Sequence, residues 1–293
     1  MTLPVARRFP FRTPSLVTAG ILAAALWGYV HLELRLGDLV PGSGGVTVAA
    51  EFFSRAVSPA LVSEADFVPS GTPPLLLNAA NAALLTVGFA AAAMGLAIPM
   101  GFVLGFFAST AWWEEDPAGA RSRTLRTLRR MAGPVVFGST RVLLAVLRSV
   151  HELLWAVLFL VALGLSNAAA VLAIALPFSG VLGKLFADLI DEAPRSGAHA
   201  LRAAGATNSQ VYLFGLLPLA LPDIIAYMFY RFECALRSSA ILGFFGYPTL
   251  GLYIRQSFSS TNYGEVWTYL YALVLLVAVF DVWSFGVRRR ILA

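Results

Sequence analysis

The sequence predicts an all-α membrane protein with six transmembrane helices, and three observations carry that expectation. First, 58% of the 293 residues are hydrophobic and only 13% are charged, against roughly 25% charged in an ordinary soluble domain. A soluble fold of this size would lack the polar cover for so much apolar surface, whereas lipid as solvent removes the conflict. Second, apolar stretches of about 20 residues, the length needed to cross the hydrocarbon core, recur along the chain. Third, the basic residues gather between those stretches rather than within one patch.

The first span is expected at about 15–36, after Arg7, Arg8 and Arg12. Its nearest small-residue cleavage site, Val48-Ala49-Ala50, stands too far past the apolar run for a signal peptide, so a retained anchor is expected. Residues 37–73 are polar and rich in Gly, Pro and Ser and read as a loop. The long apolar stretch that follows exceeds one bilayer thickness. Its start, around Asn78 and Asn81, reads as an interfacial lead-in to a span at about 82–109, with Pro99 as a kink. The charged segment 110–134 is a solvated loop or surface helix. An amphipathic approach then leads into a span at about 146–165, and the turn at 164–167 returns the chain through 168–190. Small and polar residues interrupt the pattern at 191–214. Two more spans are expected at about 215–239 and 266–287, separated by a mixed segment with Gly243, Gly246, Pro248 and Gly251. Residues 1–73 thus form an anchor helix and external loop, and 74–293 the core.

Counting Lys and Arg orients the chain. With both termini inside, the cytoplasmic side holds Arg7, Arg8, Arg12, the five arginines of 121–130, Lys184, Arg195, Arg202 and Arg288 to Arg290. The outside holds Arg35, Arg55 and Arg255. The formal net charge of +5 is therefore a topology signal, and its fragmentation argues against nucleic-acid binding. Cys234 is the single cysteine, which excludes an intrachain disulfide. His31, His151 and His199 are far apart and lack metal-ligand spacing, so neither a metal site nor a cofactor is expected. A phosphate-binding loop needs Gly, four residues, then Gly-Lys-Ser/Thr. The only lysine, Lys184, is followed by Leu185, and Phe178 stands where the first Gly should be. Lys184 reads as an interfacial lysine.

Residues 191–222 are the informative segment. Two short helical patterns flank Gly205. Ala198 to Ala204 are good helix formers, Thr207 or Asn208 can cap a second helix, and Gly205 permits the turn between them. His199-Ala200-Leu201, Gly205, Gly215 and Leu217-Pro218 line up with the coupling loop of bacterial ATP-binding-cassette importer permeases: Glu-Ala-Ala, three residues, Gly, nine residues, Ile, one residue, Leu-Pro. Over roughly 75–287 the chain most resembles the phosphonate permease family. The pieces are Leu147-Arg148-Ser149, Glu152-Leu153, Leu182 to Ala187, Leu201-Arg202-Ala203, Tyr230 to Glu233, Arg237-Ser238 and Leu242-Gly243. Three positions depart from the pattern. His199 replaces the opening Glu, His151 replaces a Pro, and 244–251 replaces a Gly-rich run.

The resemblance implies a five-helix core of the methionine-importer type in the bacterial cytoplasmic membrane. It also implies two separate ATPase subunits, one of them docking on 191–214, a second permease subunit (the same chain or an unlike one) and a periplasmic or lipid-anchored binding protein. The cargo would be phosphonate or a related phosphorus oxyanion, and the chain would do no covalent chemistry itself. Within the fifth span, Glu233 and Arg237 stand at i and i+4 in the favourable order and read as a structural ion pair. Tyr227, Arg231 and Ser238 project near one helix face. Arg231 reads either as lining an anion passage or as a structural partner. Arg148 and Glu152 read as a second structural pair. The rival class is a secondary transporter driven by an ion gradient, for which paired broken helices in inverted repeats would be expected. No second copy of the 191–222 pattern is present.

Overall fold

The computed structural model describes residues 12–33, 35, 37, 42–65, 71–113 and 123–292. Arg7, Arg8, the acidic run 114–116 and Arg121 lie outside the described residues. All regular structure among those described is helical. The chain divides at Ser54/Arg55 into two compact units.

The first unit holds α1 (Arg12–His31) and α2 (Ser43–Ser54). The apolar part of α1, Ser15–His31, is shorter than the spans of the second unit. It exposes Leu16, Ile21, Leu26 and Trp27, as a helix surrounded by lipid would. Residues 43–54 fall in the expected loop but are helical, because Val46 to Phe53 contain no Gly or Pro and carry a run of apolar helix-compatible residues.

The second unit begins at Arg55, so 55–65 packs with the core. It contains α3 (Leu75–Ala108), α4 (Thr110–Trp113), α5 (Arg123–Ser149), α6 (Glu152–Leu163), α7 (Asn167–Glu192), α8 (Ser196–Ala203) and α9 (Asn208–Gln210). A π-helical segment (Val211–Leu216) follows, then α10 (Leu217–Ile241), a 3-10 turn (Leu242–Phe245), α11 (Leu250–Ser259) and α12 (Tyr263–Leu292). Five helices among the described residues are long and apolar enough to cross a membrane: Leu75–Ala108, Met131–Ser149, Asn167–Glu192, Asn208–Phe245 and Tyr263–Arg290.

The residues around Asn78 and Asn81 are continuous with α3, and Pro99 sits inside that helix. Two expectations need correction. The single span expected at 146–165 is broken. α5 stops at Ser149, and α6 starts at Glu152, with His151 Nδ1 accepting the Leu153 N–H at 3.3 Å. The two pieces lie end to end along α7. Arg141 meets Asp191 at one end, Leu144 and Leu147 meet Gly183 and Gly180 in the middle, and Gly164–Ser166 turns α6 into α7 at the other. The fifth span starts earlier than 215, because 208–216 is already helical. The π register lies just upstream of Pro218, whose nitrogen cannot donate to the ladder.

α7 is the central helix. A Cβ on Gly101 or Gly105 of α3 would stand 2.8 Å from Leu182 Cβ and 2.9 Å from Gly183 O, and one on Gly180 would stand 2.6 Å from Leu147 Cβ of α5. Small residues let the backbones close to this distance, which drives helix association in lipid. At the far end of α10, Gly243 and Gly251 cross so closely that a Cβ on either would strike backbone of the other element.

The helix ends sort onto two faces. Asp191 bonds to 109–111, α8 lies on Gly215, and Phe229 and Phe232 of α10 meet Trp283 and Phe280 of the antiparallel α12. Arg141, Arg195, Arg202 and Arg288 to Arg290 therefore share one face. The opposite face holds the α6–α7 turn, α11 and the 55–65 segment, with Arg55 and Arg255 among its basic residues. There Glu64 accepts the N–H groups of Gly264 and Glu265 at the start of α12, while Glu265 accepts the N–H of Glu64. Each carboxylate satisfies donors of the other segment, a reciprocal cap that ties 55–65 to the core.

The α7 packing generates a direct test. Gly183→Leu should cost about 1–3 kcal/mol or more by overpacking, lowering the thermal midpoint and the monodisperse yield in detergent. Gly88→Leu, on an open face of α3, should leave both unchanged.

Candidate functional site

The 193–216 segment begins where α7 ends at Glu192 and Pro194 stops the helix from continuing. α8 buries Ala198 completely and half-buries Leu201 and Arg202. His199, Ala200, Ala203 and Ala204 are exposed. The helix ends in a Schellman arrangement: Ala206 N–H donates to Leu201 O at 3.0 Å and Gly205 N–H to Arg202 O at 2.9 Å. Gly205 has φ +85°, a left-handed conformation that suits glycine. The chain then restarts on a capping box between Thr207 and Gln210, with the Gln210 side chain accepting the Thr207 N–H at 2.8 Å. Leu217 is half-buried against the main core, and Pro218 is exposed in the first turn of α10.

Gly215 holds this element to the bundle. A Cβ there would lie 2.9 Å from Leu201 Cδ1 and 3.7 Å from the Ala198 backbone. Gly215 stands where the coupling motif has Ile, and Leu201 occupies the space an Ile side chain would need.

Sequence reasoning missed the clasp beside this loop. Asp191, near the end of α7, accepts Ser109 Oγ at 2.6 Å and Ala111 N–H at 3.1 Å on one oxygen, and Thr110 N–H at 2.9 Å on the other. Arg141 of α5 lies 3.8 Å from that carboxylate and donates twice to Ala108 O, at 3.2 and 3.0 Å. Asn208 donates to Trp112 O at 3.2 Å, and the Trp112 ring packs with Phe106 and Tyr212. The sequence offered one signal, an acid at a helix end opposite an arginine-bearing span, and that signal is common.

The residues expected within the fifth span separate into two places. Arg231 Nε donates to Tyr227 Oη at 2.8 Å, and its guanidinium lies over the rings of Tyr227, Tyr230 and Phe178 at 5.2, 5.8 and 6.0 Å. Among the described residues no carboxylate comes within ion-pair distance of Arg231. Ser238 instead donates to Glu152 of α6 at 2.9 Å. Glu233 and Arg237 pair at 3.1 Å, with the arginine half exposed. The pair expected between Arg148 and Glu152 is not formed, because the break at 150–151 ends the helical register that would join them. Lys184 pairs with Asp188 one turn on. Among the described residues no cluster of His, Cys, Asp and Glu could hold a metal ion.

A family described as "Binding-protein-dependent transport system inner membrane component" matches residues 124–292. The phosphite transport system permease protein PtxC of Stutzerimonas stutzeri is 38% identical over 157 residues, 54% of this chain and 57% of that one. The phosphate-import permease protein PhnE of Mycolicibacterium smegmatis is 31% identical over 159 residues, 54% of this chain and 30% of that one. The match thus spans less than two thirds of either relative. Among solved structures, the MetNI methionine ABC transporter, in inward-facing conformations, superposes with a TM-score of 0.57 at 18% identity. The match covers 75% of this chain and 99% of that one, so the core has that fold.

The Gly215 contact predicts that Gly215→Ile displaces α8. Limited proteolysis should then cut 193–206 faster, while the double variant Gly215→Ile with Leu201→Ala should regain protection, since it frees the space the added side chain needs.

Proposed function

This chain belongs to the family of binding-protein-dependent transport system inner membrane components, and from that membership we propose that it is the permease subunit of an ATP-binding-cassette importer carrying a phosphorus oxyanion. The observation that carries this reading is the construction of 193–216. A short helix, a left-handed glycine and a capped restart sit on the basic face of the bundle, with His199, Ala200, Ala203 and Ala204 turned outward. In this reading the basic face is cytoplasmic, as the positive-inside rule requires, and both termini lie on that side. Of the two ATPase subunits, one docks on the exposed face of α8 in this chain and the other on the second permease subunit. A second permease subunit completes the passage, and a periplasmic or lipid-anchored binding protein delivers the solute to the face that holds α11 and the 55–65 segment. ATP binding draws the ATPases together and shifts an equilibrium between two arrangements of the spans, and hydrolysis resets it.

The relatives supply the cargo class, phosphite in one and phosphate in the other, and Arg231 supports it from this chain. A guanidinium in a span with no carboxylate within ion-pair distance among the described residues, held by a tyrosine hydroxyl and three rings, is a cation available to a tetrahedral anion. In proteoliposomes containing the permease, its ATPase and its binding protein, Arg231→Ala should cut uptake of radiolabelled phosphite, phosphate or methylphosphonate by about tenfold or more, the scale of a lost charge-assisted contact. The complex should still assemble and keep its basal hydrolysis. Disassembly of the complex would instead make Arg231 a structural residue.

A further inference from the structure

Asp191 is more heavily committed than a helix-end carboxylate needs to be. The chain leaves α3 at Ser109 in an extended conformation and re-enters a helix at Thr110. That break strands carbonyl groups behind it and N–H groups ahead of it, which must find partners at the membrane boundary. Two neighbouring helices provide them. Arg141 of α5 covers Ala108 O, and Asp191 of α7 takes the Thr110 and Ala111 N–H groups together with the Ser109 hydroxyl. The four-residue α4 is therefore held on one side by α5 and α7. Its other side belongs to the loop, through Asn208 on Trp112 O and the Trp112, Phe106 and Tyr212 rings. The start of the loop is tied to the end of α7 separately, since Arg195 donates to the Asp191 backbone carbonyl at 3.0 Å.

We propose that Asp191, acting through α4, is the joint that carries a displacement of 193–216 into α3, α5 and α7. It is a positioning residue for transport and contacts neither solute nor nucleotide. The argument is one of stiffness. Charge-assisted hydrogen bonds are short and directional, and Asp191 makes them to groups whose positions are fixed by α3 on one side of the break. A push on α8 reaches α4 through Asn208 and Trp112. With Asp191 in place, α4 cannot move without drawing the ends of α3 and α7 with it. With the carboxylate removed, α4 is free to follow the loop alone. The inference rests on the proposed docking of ATPases at 193–216.

The test uses the permease with its ATPase and binding protein in proteoliposomes, reading phosphite uptake per ATP hydrolysed. Asp191→Asn preserves shape but turns an amide NH2 toward donors. It should keep ATPase co-purification and basal hydrolysis, and lower the uptake-to-hydrolysis ratio about tenfold, the size of one charge-assisted hydrogen bond. Asn208→Ala, which loosens the other side of α4, should lower the same ratio in the same direction with the ATPase still bound. An unchanged ratio in Asp191→Asn would overturn the proposal. So would a loss of co-purified ATPase or of thermal stability in proportion to the lost uptake, which would make Asp191 a docking or folding residue. If unaltered protein retains no ATPase, the docking reading itself fails, and that outcome is distinct from either result with the variants.

Discussion

The close approach of α7 to both α3 and α5 is the constraint on which the rest of the second unit depends. Inside a membrane, burying an apolar side chain gains little over leaving it in lipid, so helices associate where backbones can pack closely. Gly101, Gly105, Gly180 and Gly183 provide that contact, and their spacing sets the register in which α3, α5 and α7 meet. The register in turn decides which polar groups face one another at the helix ends. Asp191 can reach Ser109, and Arg141 can reach Ala108 O, because the glycine contacts one to three turns away have already aligned the three helices.

A second principle follows from the solvent. Backbone groups that a break in a helix releases have no water to turn to in the hydrocarbon region, and several of the breaks here are met by a side chain. His151 caps the start of α6, and Glu152 anchors that end to Ser238 of α10. Glu64 and Glu265 cap each other's segments on one face, and Asp191 caps α4 on the other. The polar residues inside this apolar chain are concentrated at the places where helices stop, start or cross. Lys184 with Asp188 and Glu233 with Arg237 pair within their own helices, whereas Arg231 is a cation in mid-helix whose ring and hydroxyl contacts leave it without a carboxylate within ion-pair distance among the described residues.

The all-α membrane fold was legible because composition and apolar run length report on local requirements, and the methionine-importer-type core was implied by the resemblance carried by the pieces around Gly205 and along 75–287. A run such as 168–190 needs no partner to be recognised. Other features were not legible. The break at 150–151 falls in Leu147-Arg148-Ser149-Val150-His151-Glu152, whose polar residues read equally well as one face of a continuous helix, and the His151 cap that marks it looks like any histidine in a sequence. The helix at 43–54 was hidden by the Gly- and Pro-rich residues on either side. Asp191 and Asn208 act across 82 and 96 residues of chain, distances at which no local pattern carries information. Gly215 is a departure from the motif when read alone and a fitted contact once Leu201 is seen against it.

The central claim is that the outward face of α8 is where the ATPase docks, and a site-specific photo-crosslink tests it most directly. With p-benzoylphenylalanine replacing His199, and separately replacing Ser260 on the opposite face, the permease would be co-expressed with its ATPase and irradiated in native membranes. The account predicts an ATPase adduct from position 199 and none from position 260. Equal adducts from both positions, or none from 199 while the ATPase still co-purifies, would contradict it.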